Sequence, residues 1–183
     1  MRNPAYPGNS CYNRLVEFSK INRLDERAIE ELSIFASSII RKYYDPIIGK
    51  KQNDYHLNKF QSVPALKRQL AEGYTYYLLL EGGERLGFLG YYPRNDALYL
   101  SKFYLKEESR GKGYGREAIA FLKEKAKELG LAAIELNVNR HNPTTAIYER
   151  LGFHIIRSEV IDIGEGFVMD DYVYRLEIEK ALD

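Results

Sequence analysis

Apolar residues recur every three or four positions in several stretches of the chain, and this spacing predicts amphipathic helices. The first helix begins behind Asp25, a residue type that caps helices, and the region ends at Pro46 and Gly49. A second helical stretch runs roughly from 57 to 72 and is closed by Gly73. Both helices precede the part of the chain that is rich in strands.

Two more helices are predicted in the second half of the chain. One covers 116–129, where the apolar residues share one face and Gly130 is a natural C-cap. The other is short and lies within "NPTTAIYERLG", with Asn142 as its cap and Pro143 at its first position.

Short runs of β-branched and aromatic residues predict seven strands. They are "YNRLVEFSKI", "TYYLLLE", "ERLGFLGYYP", "DALYLSKFYL", "AAIELNV", "FHIIRSEVID" and "DDYVYRLEI". The second to fourth runs, joined by "GG" and "RND", form an antiparallel meander, whereas the strands on either side of the 116–129 helix are joined by a crossover and run parallel. The pattern predicts a mixed α/β fold with a mostly antiparallel sheet and a central parallel pair, in the order β-α-α-β-β-β-α-β-α-β-β.

Composition narrows the class of protein. A chain of 183 residues, 45% of them hydrophobic, suits a single domain over 1–183, with a loose arm at 1–10. The net charge of +1 gives no general reason to bind nucleic acid or an anionic membrane. Because no apolar run approaches about 18 residues and the N-terminus has no apolar core, we expect neither a membrane span nor a signal peptide. Cys11, the single cysteine, excludes an internal disulfide, and the histidines have no metal-ligand spacing, so we expect a cytoplasmic protein without a metal.

Three glycines at alternate positions, Gly111, Gly113 and Gly115, stand directly before the 116–129 helix. Glycines there let the N–H groups of the first helical turn converge on a phosphate, which the helix dipole also favours. No P-loop sequence is present. Gly113, Gly115 and Ala118 also satisfy a dinucleotide-binding pattern with Glu135 downstream, but the preceding "KEESRGK" is polar and too few residues follow for a doubly wound sheet.

A third interpretation of the glycines rests on two motifs. Arg110, Gly113 and Gly115 form R-x-x-G-x-G after a strand that ends at Leu105, and "AIYERLGF" follows at 146–153. In this order the two motifs resemble the GNAT superfamily of N-acetyltransferases, over roughly 75–178. The resemblance implies the fold of that superfamily, with two splayed parallel strands at its centre, and acetyl-CoA as cosubstrate.

The resemblance also implies where acetyl-CoA binds. The pyrophosphate would lie on the backbone of the glycine loop, with positive charge nearby, and the pantetheine arm would pair with Phe103 and Leu105 as an added strand does. The residues of the loop are Arg110, Gly111, Lys112, Gly113, Tyr114 and Gly115.

Tyr148 matches the tyrosine that usually acts as general acid in the family, although one of 16 tyrosines in a chain is also an ordinary core residue. The N–H of Leu105 is the candidate donor to the thioester carbonyl. The family's cofactor-contacting asparagine lies seven positions before the tyrosine, which is His141 here. We favour Asn142, which lies six positions before it and also serves as a helix cap.

The resemblance implies direct acetyl transfer to a primary amine of a small molecule, polyamine-like or amino-acid-like, or of a peptide. Residues of the first helices and the last strands would bind it through aromatic walls and carboxylates. The candidates are Tyr43, Tyr44, Asp54, Tyr55, Asp170 and Asp171. The alternatives are a non-catalytic CoA-binding module of the same fold and a dinucleotide-binding domain, and a homodimer is compatible with the fold.

Overall fold

The strand runs of the sequence pair into one seven-stranded sheet of order β1-β2-β3-β4-β5-β7-β6, seen in a computed structural model that describes residues 16–179. The strands are β1 (Glu17–Lys20), β2 (Thr75–Glu81), β3 (Glu84–Arg94), β4 (Ala97–Leu105), β5 (Ala133–Asn139), β6 (His154–Gly164) and β7 (Phe167–Glu177). The α-helices are α1 (Glu26–Ile48), α2 (Lys50–Phe60), α3 (Val63–Ala71), α4 (Tyr114–Glu128) and α5 (Thr145–Arg150), and a 3₁₀ turn covers Glu107–Ser109.

The sheet confirms the predicted mixed topology. Neighbouring strands pair antiparallel throughout, except β4 and β5, which are joined by α4 and run parallel. These two strands pair over three residues only, 97–99 with 133–135. Beyond Tyr99 and Glu135 they separate, so that a gap opens in the middle of the sheet.

Each face of the sheet has its own core. On one face α4 covers the sheet with Ala118, Leu122 and neighbouring residues, and Tyr148 of α5 packs at the edge of this core. On the other face α1, α2 and α3 pack against Tyr76 and Phe88. The helices on the two faces do not close the gap between β4 and β5, so the gap connects one face of the sheet with the other.

A lysine is buried in the core beneath α2 and α3. The side chain of Lys102 on β4 is 9% exposed, and its Nζ donates to the carbonyl of Phe60 (2.6 Å), to Oε1 of Gln69 (3.0 Å) and to the hydroxyl of Tyr76 (2.9 Å). Within residues 16–179 no carboxylate forms an ion pair with it. Three uncharged acceptors alone therefore satisfy the ammonium.

Several helical boundaries differ from the prediction. The stretch predicted as one helix over 57–72 belongs to two helices, because α2, which begins at Lys50, ends at Phe60, and Ser62 then caps α3 by accepting the N–H of Ala65. The order therefore has three helices, not two, between β1 and β2. Helix α1 continues through Pro46 to Ile48 and ends at the predicted Gly49, whose N–H the carbonyl of Asp45 accepts. Helix α5 begins at Thr145, not Pro143, because the backbone first makes a turn at Asn142.

Some expectations fall on residues that the structure does not describe. The arm at 1–10, Cys11 and the first part of the first predicted strand, 12–15, lie outside the described residues. Within 16–179 no helix is both long and apolar enough to cross a membrane. In the same range no three His, Cys, Asp or Glu side chains come together in a group suited to a metal ion.

Candidate functional site

The glycine loop presents backbone N–H groups at the N-terminus of α4. Gly111 and Gly113 have φ angles of 73° and 94°, in the left-handed region that glycine adopts without strain. Gly113 is the N-cap residue and has no side chain to bind the first-turn amides. These amides and the positive end of the helix dipole therefore face the same exposed point, which suits a phosphate.

Arg110 connects this loop to the gap. Its Nε donates to the carbonyl of Leu105 at the end of β4 (3.2 Å), and its guanidinium lies 4.8 Å from the ring centroid of Tyr43 on α1. Lys112 is exposed in the loop. Tyr114 is different, because its side chain is buried and its hydroxyl donates to Glu81 (2.8 Å), so only the main chain of Tyr114 is placed to meet a ligand.

The edge of β4 that faces the gap offers two main-chain donors. The N–H of Lys106 points towards β3, where the carbonyl of Leu86 accepts it (2.8 Å). Since N–H groups of successive residues point to opposite edges of a strand, those of Phe103 and Leu105 point towards β5. The ladder with β5 has already ended at Tyr99, so these amides are free to pair with an extended ligand.

Asn142 joins α1 to the start of α5 at the mouth of the gap. Its side chain is buried, and Oδ1 accepts the hydroxyl of Tyr43 (2.8 Å) and the N–H of Thr144 (2.9 Å). Its Nδ2 donates to the hydroxyl of Tyr44 (3.3 Å). His141 is exposed on the surface beside it. Asn142 thus lies among the tyrosines of α1 beside the gap, whereas His141 lies on the surface.

Tyr148 reaches the gap from the opposite side. Its ring packs against Phe153 and Tyr174, with centroids 5.7 and 6.2 Å apart. Burial raises the pKa of its phenol well above the usual value, and the nearby phenols of Tyr44 and Tyr43 raise it further. Tyr148 therefore holds its proton at neutral pH and sits close to the tyrosines of α1.

Two of the predicted acceptor-binding tyrosines, Tyr43 and Tyr44, bond to Asn142 beside the gap, and Asp171 is buried on the face of the sheet that α1 covers. Tyr43 and Tyr44 pack edge to face with centroids 5.0 Å apart, and Asp171 is 3% exposed on β7. Tyr44 also lies 6.3 Å from the ring of Tyr104, a residue that the sequence interpretation missed. The alternation of β4 was the signal for it, because Tyr104 lies between Phe103 and Leu105 and faces α1.

The remaining candidates have other partners. The hydroxyl of Tyr55 donates to the carbonyl of Ile163 on β6 (2.8 Å), so Tyr55 joins α2 to that strand. Asp54 forms ion pairs with Arg41 and Lys50 on the helices. Asp170, next to Asp171 on β7, points to the other face of the sheet and pairs with Arg140. The structure therefore does not bring these three residues to the gap.

Glu135 has no free carboxylate for a ribose, which the dinucleotide interpretation requires. It forms ion pairs with Arg94 and Arg175, both at 2.9 Å. The mostly antiparallel sheet is also not doubly wound. These findings contradict the dinucleotide-binding alternative.

Sequence comparisons identify relatives of the chain. The model of the acetyltransferase (GNAT) family matches residues 38–153. The chain is 34% identical over 92 residues to the uncharacterized N-acetyltransferase YdgE of Bacillus subtilis (strain 168), a match that covers 47% of this chain and 58% of that protein. It is 38% identical over 63 residues to the uncharacterized N-acetyltransferase YycN of the same organism, covering 34% and 40%. The chain thus spans about half the length of the curated relatives that it matches.

Structural comparison gives the same fold. The PaiA N-acetyltransferase of Thermoplasma acidophilum, solved in complex with coenzyme A, superposes with a TM-score of 0.71. The match covers 89% of this chain and 99% of that one, at 18% sequence identity. The fold predicted from the two motifs is confirmed.

Proposed function

Because the chain belongs to the acetyltransferase (GNAT) family, we propose that it transfers the acetyl group of acetyl-CoA to a primary amine. The observation that carries this proposal is the gap between β4 and β5 with the amide-lined loop at its end. The loop suits the pyrophosphate of CoA, and the free edge of β4 suits the amide-bearing pantetheine arm. The coenzyme A complex of the PaiA N-acetyltransferase supports the same ligand here.

Different residues of the loop and of the gap bind different parts of acetyl-CoA. The amides of Gly111, Gly113 and Gly115 face the pyrophosphate, and Arg110 and Lys112 add positive charge. Phe103 and Leu105 pair with the pantetheine arm through their backbone. The side-chain amide of Asn142 faces the same arm and can bind it when Tyr43 or Tyr44 gives up its hydrogen bond to Asn142.

Direct transfer needs a neutral amine, a donor for the developing oxyanion and a proton for the leaving thiolate. The N–H of Leu105 is the donor to the thioester carbonyl. Tyr148, protonated at neutral pH, supplies the proton to the thiolate. These two groups serve the second and third needs, and the neutral amine attacks the thioester directly, without a covalent enzyme intermediate.

The acceptor is an amine that carries a positive charge in solution. Tyr43 and Tyr44 give the gap an aromatic wall, and Asp171 gives it a carboxylate, a combination that attracts an ammonium group. This supports a polyamine-like or amino-acid-like small molecule or a peptide amine as acceptor. Homodimerisation and a cytoplasmic location stay predictions.

Calorimetry with acetyl-CoA, and with NAD as the matched control, is the first test. We expect binding of acetyl-CoA and none of NAD. Amine-dependent release of CoA thiol then separates an enzyme from a non-catalytic CoA-binding module. Binding of NAD alone, or of neither ligand, contradicts the proposal, and binding of acetyl-CoA without acetylation across a broad amine panel favours the module.

Tyr148→Phe tests the acid role. We expect kcat to fall by about 100-fold or more, the range of general acid catalysis, while acetyl-CoA affinity changes little. Tyr77→Phe is the control, because Tyr77 is a buried tyrosine in the core beneath α4. Turnover of the Tyr148→Phe protein at the wild-type rate with saturating substrates would remove Tyr148 from this role.

A further inference from the structure

Asp171 is a buried carboxylate without a cationic partner. It lies within β7, in register with Asn139 of β5 and Glu159 of β6, and only 3% of its surface is exposed. Its Oδ2 accepts a hydrogen bond from Nδ2 of Asn137 (3.5 Å). Burial of an unpaired charge is costly, so such a group is retained for a reason other than stability.

The other acidic residues around it are neutralised. Glu135 pairs with Arg94 and Arg175, Glu159 pairs with Arg157, and Asp170 pairs with Arg140. Among residues 16–179, no ion pair involves Asp171. A cation that enters the gap on this face therefore meets one uncompensated carboxylate.

The side chain of Asp171 lies on the face of the sheet that α1 covers, because the next residue, Tyr172, packs against the core beneath α4 on the other face. Burial is the main cause of the raised pKa of Tyr44 on α1 and of Tyr99 and Tyr104 on β4, and the charge of Asp171 is a smaller cause in all three. The charge of Tyr148 also raises the pKa of Tyr104, so Tyr104 lies within the field of both groups. Asp171 and Tyr148 thus both lie near enough to Tyr104 for their charges to act on it.

The groups packed around Asp171 favour its protonated form. Burial raises its pKa, and the neighbouring charges of Asp170 and Glu159 raise it further, whereas the hydrogen bond from Asn137 lowers it. The other carboxyl groups of the described residues with a perturbed pKa are all shifted downwards. Asp171 is therefore a stronger base than an ordinary aspartate, which suits proton abstraction.

We propose that Asp171 is the general base that deprotonates the ammonium group of the acceptor, a role that rests on the function proposed above. An Asp171 oxygen takes one proton from the ammonium nitrogen. The freed nitrogen lone pair attacks the thioester carbonyl carbon, the C–N bond forms, and the C–S bond breaks. Tyr148 gives its proton to the thiolate, and its phenolate takes the second proton from the nitrogen to leave the amide. Asp171 releases its proton to solvent.

The test is the pH profile of Asp171→Asn. Wild-type protein is first assayed with spermidine, lysine and a peptide with a free N-terminus, and the fastest acceptor is used. For Asp171→Asn we expect kcat to fall by about 100-fold or more at pH 7, and the acidic inflection of the wild-type pH profile to disappear. Activity should then rise steadily with pH as the free amine becomes abundant. Glu177→Gln, an exposed carboxylate on the same strand, is the control and should keep the wild-type profile.

The outcomes separate this role from simple binding and from the proposed function itself. A raised KM with unchanged kcat and an unchanged inflection would show that Asp171 only anchors the ammonium, and would overturn the proposal while the acetyltransferase function stands. Wild-type protein that acetylates no acceptor would overturn both. The asparagine variant should fold, since it removes a buried charge, and thermal unfolding checks this. If it does not fold, Asp171→Ser is assayed by the same criteria.

Discussion

Replacing the buried Lys102 by methionine is expected to remove a rise in the stability of this protein between pH 7 and pH 9. Burial lowers the pKa of Lys102 to about 7, because the pocket holds only uncharged acceptors. In the unfolded chain the lysine keeps the usual lysine value, near 10.5. Between these two values the unfolded state binds a proton that the native state has released, so the free energy of unfolding rises with pH.

The expected size follows from the two pKa values. Linkage with 7 in the native state and 10.5 in the unfolded state gives a rise of about 2.3 kcal/mol in the free energy of unfolding from pH 7 to pH 9. Methionine has a similar length and no charge, so the variant loses this term. Its three former acceptors lose a donor, which lowers stability by a nearly constant amount across the same range.

Urea unfolding at pH 7, 8 and 9 measures the effect. The quantity compared is the slope of the unfolding free energy against pH, for wild type, Lys102→Met and Lys20→Met, an exposed lysine on β1. We expect a steeper slope for wild type and Lys20→Met than for Lys102→Met. Equal slopes in all three proteins would refute the idea that Lys102 is buried with a depressed pKa.

Two further predictions concern the loop and a second buried base. Gly113→Ala should lower the free energy of unfolding by about 1–2 kcal/mol, because Gly113 has a φ of 94°. Gly115→Ala should not lower it, since the new Cβ would lie 3.9 Å from the ring of Phe103, in ordinary contact. Equal losses of both variants in urea unfolding would contradict this. Burial, with the nearby charge of Lys102, lowers the pKa of His56 to about 4, so stability should be lost as pH falls from 6.5 to 4, by up to about 3 kcal/mol. Acid unfolding of His56→Gln should lack this loss, and an unchanged acid transition would count against it.

The architecture was predictable from the sequence because its signals are local. Strand alternation, the capped start of α1 and the crossover around α4 each depend on residues close together in the chain, and all are confirmed. The break at Ser62 was missed because helical spacing of apolar residues continues on both sides of it. The new start is marked by the bond from the N–H of Ala65 to the side chain of Ser62 and by Pro64 in the first turn of α3.

The site was predictable only in part, for a physical reason. Motifs located the glycine loop and Tyr148, since their positions follow from spacing along the chain. The partners of a side chain depend on distant elements. The sequence therefore could not distinguish Asp171, which is buried on the face that α1 covers, from Asp170, which pairs with Arg140 on the other face. The burial of Lys102 was equally invisible, because a lysine in a strand is ordinarily exposed.

Strand β4 has a free edge inside the sheet instead of at its rim. A free edge at the rim recruits strands from other proteins and promotes aggregation. Here Tyr148 packs with the core of one face and Tyr44 with the core of the other, so the free edge lies between two packed faces, which a slender ligand enters more easily than a polypeptide with side chains on both of its faces. The gap thus selects by thickness, and the protein can keep unsatisfied amide donors for a small ligand without offering them to another protein.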